Sequence, residues 1–126
     1  MKKEFIPYEQ ALELKKLGFN EICIFYYDCE DKEWVKPAEF ARYNYNVLRG
    51  DILAPLYQQA FKFFREKYGL MGVVDCFFYN FSYTYNINDI ENEKIITRSS
   101  PDDDFTFYEA AELACLKKLI EIAKNK

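Results

Sequence analysis

Residues 77–89 read FFYNFSYTYNIND, with an aromatic or aliphatic side chain at every second position from Phe77 to Ile87. Asn80, Ser82, Thr84, Asn86 and Asn88 fill the opposite parity. Period-two alternation is the pattern of a β-strand with one buried and one wetter face. Two functions compete for such an aromatic row: the inward face of a sheet, or a platform on which bases stack. A stacking platform needs cations for the phosphates. Between Lys67 and Lys94 there is no Lys or Arg, whereas Asp75, Asp89, Glu91 and Glu93 are present. The row therefore reads as sheet core, broken at Asn80 into two strands or bent there by a bulge.

Helices flank this region, and their apolar faces need a sheet to bury against. Residues 7–19, PYEQALELKKLGF, open on Pro7 and close on Gly18, which suits the left-handed position after a last turn. Residues 54–70, APLYQQAFKFFREKYGL, repeat apolar side chains at Tyr57, Ala60, Phe61, Phe64 and Tyr68, a helical stripe widened by Leu56 and Phe63. Residues 106–124, TFYEAAELACLKKLIEIAK, begin with the capping-box pattern Thr106-x-x-Glu109 and place Phe105 as a staple residue ahead of it. Acids come early in this helix and lysines late, matching its dipole.

The other strands are Glu21–Tyr27, pairing with Glu33–Lys36 across a turn, then Gly72–Tyr79 ahead of the aromatic row and Lys94–Arg98 after it. The order is α-β-β-α-β-β-β-α. Links between the last three strands are too short for the crossovers that parallel pairing requires. The expected fold is thus α+β in two layers, a mainly antiparallel sheet packed against three helices, and residues 1–126 are expected to form a single domain. Residues 37–53 read as an irregular connection.

Composition excludes several chemistries. The chain has 126 residues, half of them apolar, with 17 Lys and Arg against 21 Asp and Glu for a net charge of −4. That balance argues against general affinity for nucleic acid or anionic membrane. No apolar run approaches the roughly 20 residues that span a bilayer. The opening MKKEFIPYEQ has lysines but no apolar stretch of a secretory leader, so a cytoplasmic protein is expected. There is no histidine, which removes Ser-His and Cys-His nucleophile pairs. Cys23, Cys29, Cys76 and Cys115 form no CxxC pair, so no metal site and no cofactor is expected, and free Cys in apolar runs acts as a small hydrophobe.

Acidic residues cluster at 28–33 and at Asp102–Asp104, without EF-hand spacing, and read as a solvated turn and a favourable helix approach. The four glycines are scattered, so no phosphate-binding loop is supported. The most suggestive chemistry lies in the connection: Arg42, Tyr43, Tyr45 and Arg49, residue types that dominate interface hot spots.

Three blocks, YEQALELKKLGF, APLYQQAFKFFREKYGL and YEAAELACLKKLIEIAK, resemble those of small proteins encoded by tailed phages and prophages of gut Bacteroidales. The third block departs from the usual pattern at Phe107 and Ala110. The resemblance implies a phage or mobile-element setting and carries no catalytic residue with it. Element order in the second half also matches a double-stranded RNA-binding domain. Asp102–Asp104 and Glu109 stand where that domain has lysines, so RNA binding does not follow.

The leading expectation is a non-enzymatic accessory protein that binds a host or phage protein, with self-association as a homodimer as one form of this. The alternative is a small-ligand or nucleotide-binding module built on Arg42, Tyr43, Tyr45 and Arg49. An enzyme working with carboxylates or tyrosines alone is a third.

Overall fold

The computed structural model describes residues 4–21, 23, 25–28, 32–35, 52–77, 82–99 and 105–126. Its elements are α1 (Tyr8–Lys16), β1 (Phe25–Tyr27), β2 (Trp34–Val35), β3 (Ile52–Ala54), α2 (Tyr57–Tyr68), β4 (Leu70–Phe77), β5 (Ser82–Asp89), β6 (Lys94–Arg98) and α3 (Tyr108–Lys124). The fold is α+β, and among the described residues every strand pairing is antiparallel. The strands form two three-stranded sheets, ordered β2-β1-β3 and β4-β5-β6. Ile52 and Leu53, read from the sequence as irregular, belong to a strand. Three apolar residues without alternation give no period to detect, and both faces of β3 are buried. Two compact units divide the chain, Met1–Ala60 and Phe61–Lys126.

In the first unit the expected hairpin is present: Tyr26 pairs with Val35 and Tyr27 with Trp34. Its turn is closed by Asp28 N–H on the Glu33 carbonyl at 2.9 Å. β1 is the middle strand and is buried on both faces. Helix α1 lies against β3 and buries Ala11 and Leu14. It ends in a Schellman motif: Phe19 N–H reaches the Leu14 carbonyl at 2.9 Å and Gly18 N–H the Lys15 carbonyl at 3.1 Å. Gly18 holds φ at 98°, the left-handed conformation this motif requires and side chains resist. The Tyr27 hydroxyl donates to the Ile6 carbonyl at 2.6 Å, and burial raises its pKa. Helix α2 is capped by Gln59, whose Oε1 accepts from the Leu56 N–H at 2.9 Å, the reciprocal half of a capping box.

In the second unit α3 lies along β4 and β5. Its buried stripe is Ala111, Cys115, Leu116, Leu119, Ile120 and Ala123. Register pairs Gly72 with Ile87, Val74 with Tyr85 and Cys76 with Tyr83, so these share the face toward α3. Ile87 is fully buried there. Helix and sheet come close at Gly72, where a Cβ would stand 2.8 Å from Cys115 Sγ and 3.1 Å from Leu119 Cδ1. Phe63 and Phe64 of α2 are also buried, their rings edge to face at 5.4 Å.

Helix α3 starts one residue later than its capping-box pattern indicates. Phe107 occupies the N-cap position with φ −116° and ψ 142°, and among the described residues no side chain caps the helix. The reason is tertiary. The Phe105 carbonyl accepts the Tyr83 N–H at 2.8 Å, which ties residue 105 to β5 as an isolated bridge. The chain enters this region as a strand partner, and the backbone at Phe107 is still extended.

Candidate functional site

Arg42, Tyr43, Tyr45 and Arg49 lie outside the described residues, as do Cys29 and Asp102–Asp104. Of the aromatic row, Tyr79 and Phe81 also lie outside. Tyr83 and Tyr85 are half-buried on the helix-covered face, Tyr83 edge-on to Tyr108 at 5.7 Å and Tyr85 near Phe105 at 6.2 Å. Ile87, farther along the same strand, is fully buried. The Tyr and Ile positions of β5 are therefore packing residues, and the stacking-platform reading falls for this strand.

The face of β4-β5-β6 turned away from α3 is different in kind. Position parity places Met71, Val73 and Asp75 of β4 there with Thr84, Asn86 and Asn88 of β5. Ile95 joins them through its pairing with Asn88, and Arg98 through its pairing with Asn86. The ladder shifts between Ile87 and Asn88. Such a bulge inserts a residue and re-aims side chains, which is how Ile95 and Arg98 share a face three residues apart.

Two shallow grooves run over this face. One, of about 480 Å³, is lined by Met71, Ile90, Ile95, Asn86, Asn88 and Lys94, among others. Met71 is 38% exposed, Ile90 44% and Ile95 46%. Asn88 Oδ1 is buried there and accepts no hydrogen bond from the described residues. The second groove, of about 400 Å³, shares Asn86 and continues to Asp75, Thr84 and Arg98. An apolar strip with polar flanks and an unsatisfied acceptor is the composition of a binding surface rather than of a solvated one.

The turn beside the groove is held by Asp89, whose carboxylate accepts from Asn92 N–H at 3.2 Å and Asn92 Nδ2 at 2.7 Å. The side-chain bond from Asn92, above all, lowers its pKa. Asp89 is thus a structural anion. The cysteines offer no reactive thiolate at buried positions. Burial pushes Cys23 up to about 12, helped by Glu21, and pushes Cys115 up to about 12, helped by Glu112 and opposed by the Val73 amide. Cys76 is free and exposed. Among the described residues no group of three or more Cys, Asp or Glu side chains could hold a metal ion. No described helix is long and apolar enough to cross a membrane.

No family model, curated protein or solved structure matches the chain. The site must be judged on its own chemistry. Sequence reading missed it because the signal lies in the weak alternation of β4 and β6. Leu70-Met71-Gly72-Val73-Val74 is apolar on both parities, as is the Ile95-Ile96 pair. A strand apolar on both sides beside a strand apolar on one was the available clue.

Proposed function

We propose that this chain acts without catalysis by binding another protein through the open face of β4-β5-β6. One observation carries the reading: Met71, Ile90 and Ile95 remain exposed together on one groove of a sheet whose opposite face is already packed by a helix. Apolar groups left clustered at a surface lower their free energy when a partner removes them from water, by about 25 cal/mol per Å². Similarity of the three helix blocks to proteins of phages and prophages supports a phage accessory factor with a host or phage protein as its target.

The test is comparative capture. Tagged wild-type chain and the double variant Met71→Lys, Ile95→Lys are exposed to the same bacterial lysate, and retained proteins are quantified by mass spectrometry. At least one protein is expected to be lost from the variant while both chains keep the same melting temperature. Identical retained sets would overturn the reading.

A further inference from the structure

We propose that, until a target arrives, the open face of β4-β5-β6 is covered by the same face of a second copy, in a weak dimer that target binding dissolves. This rests on the protein-binding reading above and adds regulation to that site. A two-fold interface must be self-complementary, because one patch meets itself. The open face has that property. β5 runs down its middle, with β4 on one side and β6 on the other. Among the described residues the face carries one anion and one cation, Asp75 on β4 and Arg98 on β6, both exposed. Neither has an ion-pair partner among the described residues.

With the two-fold axis parallel to β5, midway between the facing sheets, β4 of one copy lies over β6 of the other. Rotation about such an axis leaves height along the strand unchanged, so the register cannot slide. Met71 then faces Ile95 of the second copy, since both pair with Asn88. Val73 covers the stem of Arg98, since both pair with Asn86. Asp75 stands two residues farther along, about 7 Å, across a gap of about 10 Å between sheets. An arginine and a carboxylate reaching toward each other close that span, and symmetry makes the pair twice. Asn86 and Thr84 lie on the axis, and their amide and hydroxyl groups both donate and accept, so each matches its own image. The other in-plane axis, across the strands at Asn86, sets Arg98 on Arg98 and Met71 on Asp75. Like charges brought together at an interface oppose it, so charge chooses the first arrangement. The interface is small: three strands from Met71 to Asp75 give a footprint of about 15 by 17 Å. A standard stable interface takes about 800 Å² from each partner. Such a dimer shields Met71 and Ile95 from chance contacts and yields to a better-matched target.

Sedimentation equilibrium of the full chain, at concentrations spanning about 0.01–1 mM, tests this. A monomer–dimer equilibrium is expected, with a dissociation constant on the order of 100 μM, as suits so small an interface. Asp75→Arg and Arg98→Asp should each weaken the dimer at least about ten-fold. An equimolar mixture of these two variants should associate as tightly as wild type, because opposite charges then meet at both ends of the mixed pair. Both variants stay net negative, so the attraction between them is local. The double variant Met71→Lys, Ile95→Lys should be monomeric throughout, and every variant should keep the wild-type melting temperature. A wild-type chain that is monomeric at the highest concentration would overturn the proposal. So would a mixture no tighter than its components, or a dimer indifferent to these substitutions. If the chain is monomeric while lysate capture still depends on Met71 and Ile95, the masking dimer falls and the protein-binding reading stands. If the dimer forms as described while capture ignores those residues, no target is masked and both fall.

Discussion

The two faces of the β4-β5-β6 sheet are built from the same three strands, yet they solve different problems. On one, Leu70, Ile87 and the small Gly72 share the side that α3 covers, Gly72 lies against Cys115 and Leu119, and Leu70 and Ile87 are fully buried. On the other, Met71 and Ile95 stay exposed among Asn86 and Asn88. Burial of one apolar face satisfies the folding requirement of a three-stranded sheet packed on a helix. Apolar side chains on the second face are surplus to that requirement. The difference teaches that strand composition alone does not locate function here; what locates it is composition beyond what the packed face uses.

The strongest way to break this comparison is to truncate one residue on each face. Leu119→Ala removes a fully buried side chain at the helix-sheet contact and is expected to destabilise by about 2–5 kcal/mol. Ile95→Ala, at a site 46% exposed, is expected to stay within about 0.5 kcal/mol of wild type. Urea unfolding reads both. Comparable losses would mean that the open face is part of the fold's stability and is not reserved for a partner.

A smaller effect sharpens how close the packed face is. Gly72→Ala puts a methyl group 2.8 Å from Cys115 Sγ, too near for either group to keep its place. Overpacking of this kind costs about 1–3 kcal/mol, against a gain of about 0.4–1 kcal/mol from the stiffer unfolded chain. A net loss of about 1–2 kcal/mol is expected. In the double variant Gly72→Ala, Cys115→Ala, the new methyl enters space the sulfur has left. The double-mutant cycle should therefore show positive coupling of about 0.5 kcal/mol or more. Simple additivity would show that α3 moves away freely and that the contact is loose.

How far the sequence discloses these features follows from the kind of signal each one leaves. Helices α1 and α3 are legible because several independent marks agree: Gly18 after α1, acids early and lysines late in α3, and a periodic apolar stripe in each. β5 is legible through its strict alternation. The start of α3 is misread because Thr106-x-x-Glu109 is a local pattern, while the bridge from Phe105 to Tyr83 is a tertiary one. Local chemistry cannot register a hydrogen bond to residues more than twenty positions away. β3 leaves three apolar residues and no period. The open face leaves the subtlest mark. Its apolar members sit in β4 and β6, next to apolar residues of the other parity, so neither strand declares which side it turns to the helix. Arg42, Tyr43, Tyr45 and Arg49 stand out by residue type in residues 37–51, which lie outside the described structure.

The rim of the packed face supplies the smallest test, through Glu112 of α3. Its carboxyl pKa is raised by burial first and by neighbouring Glu109 second, while the Tyr108 hydroxyl, donating to it, pulls the other way. Tyr108 is itself raised, by burial and then by Glu112, as expected of a donor that must keep its proton. A carboxyl with a raised pKa binds its proton more tightly folded than unfolded. Its stabilising contribution is therefore complete below its unfolded pKa and disappears as pH climbs through the higher folded one. At neutral pH the ionised group is a net cost. Glu112→Gln retains an acceptor for Tyr108 and carries no charge, so it should raise the melting temperature at neutral pH. The group is partly exposed and solvent screens it, so an increase on the order of 1–2 °C is expected. The gain should shrink as the medium is acidified below the carboxylate range, where wild-type Glu112 is protonated as well. A gain that persists unchanged at acid pH would point to helix propensity in place of desolvation. A loss at neutral pH would mean that water reaches this edge of the helix, and the contrast between a dry packed face and a wet open one would then hold only at its centre, around Gly72, Cys115 and Leu119.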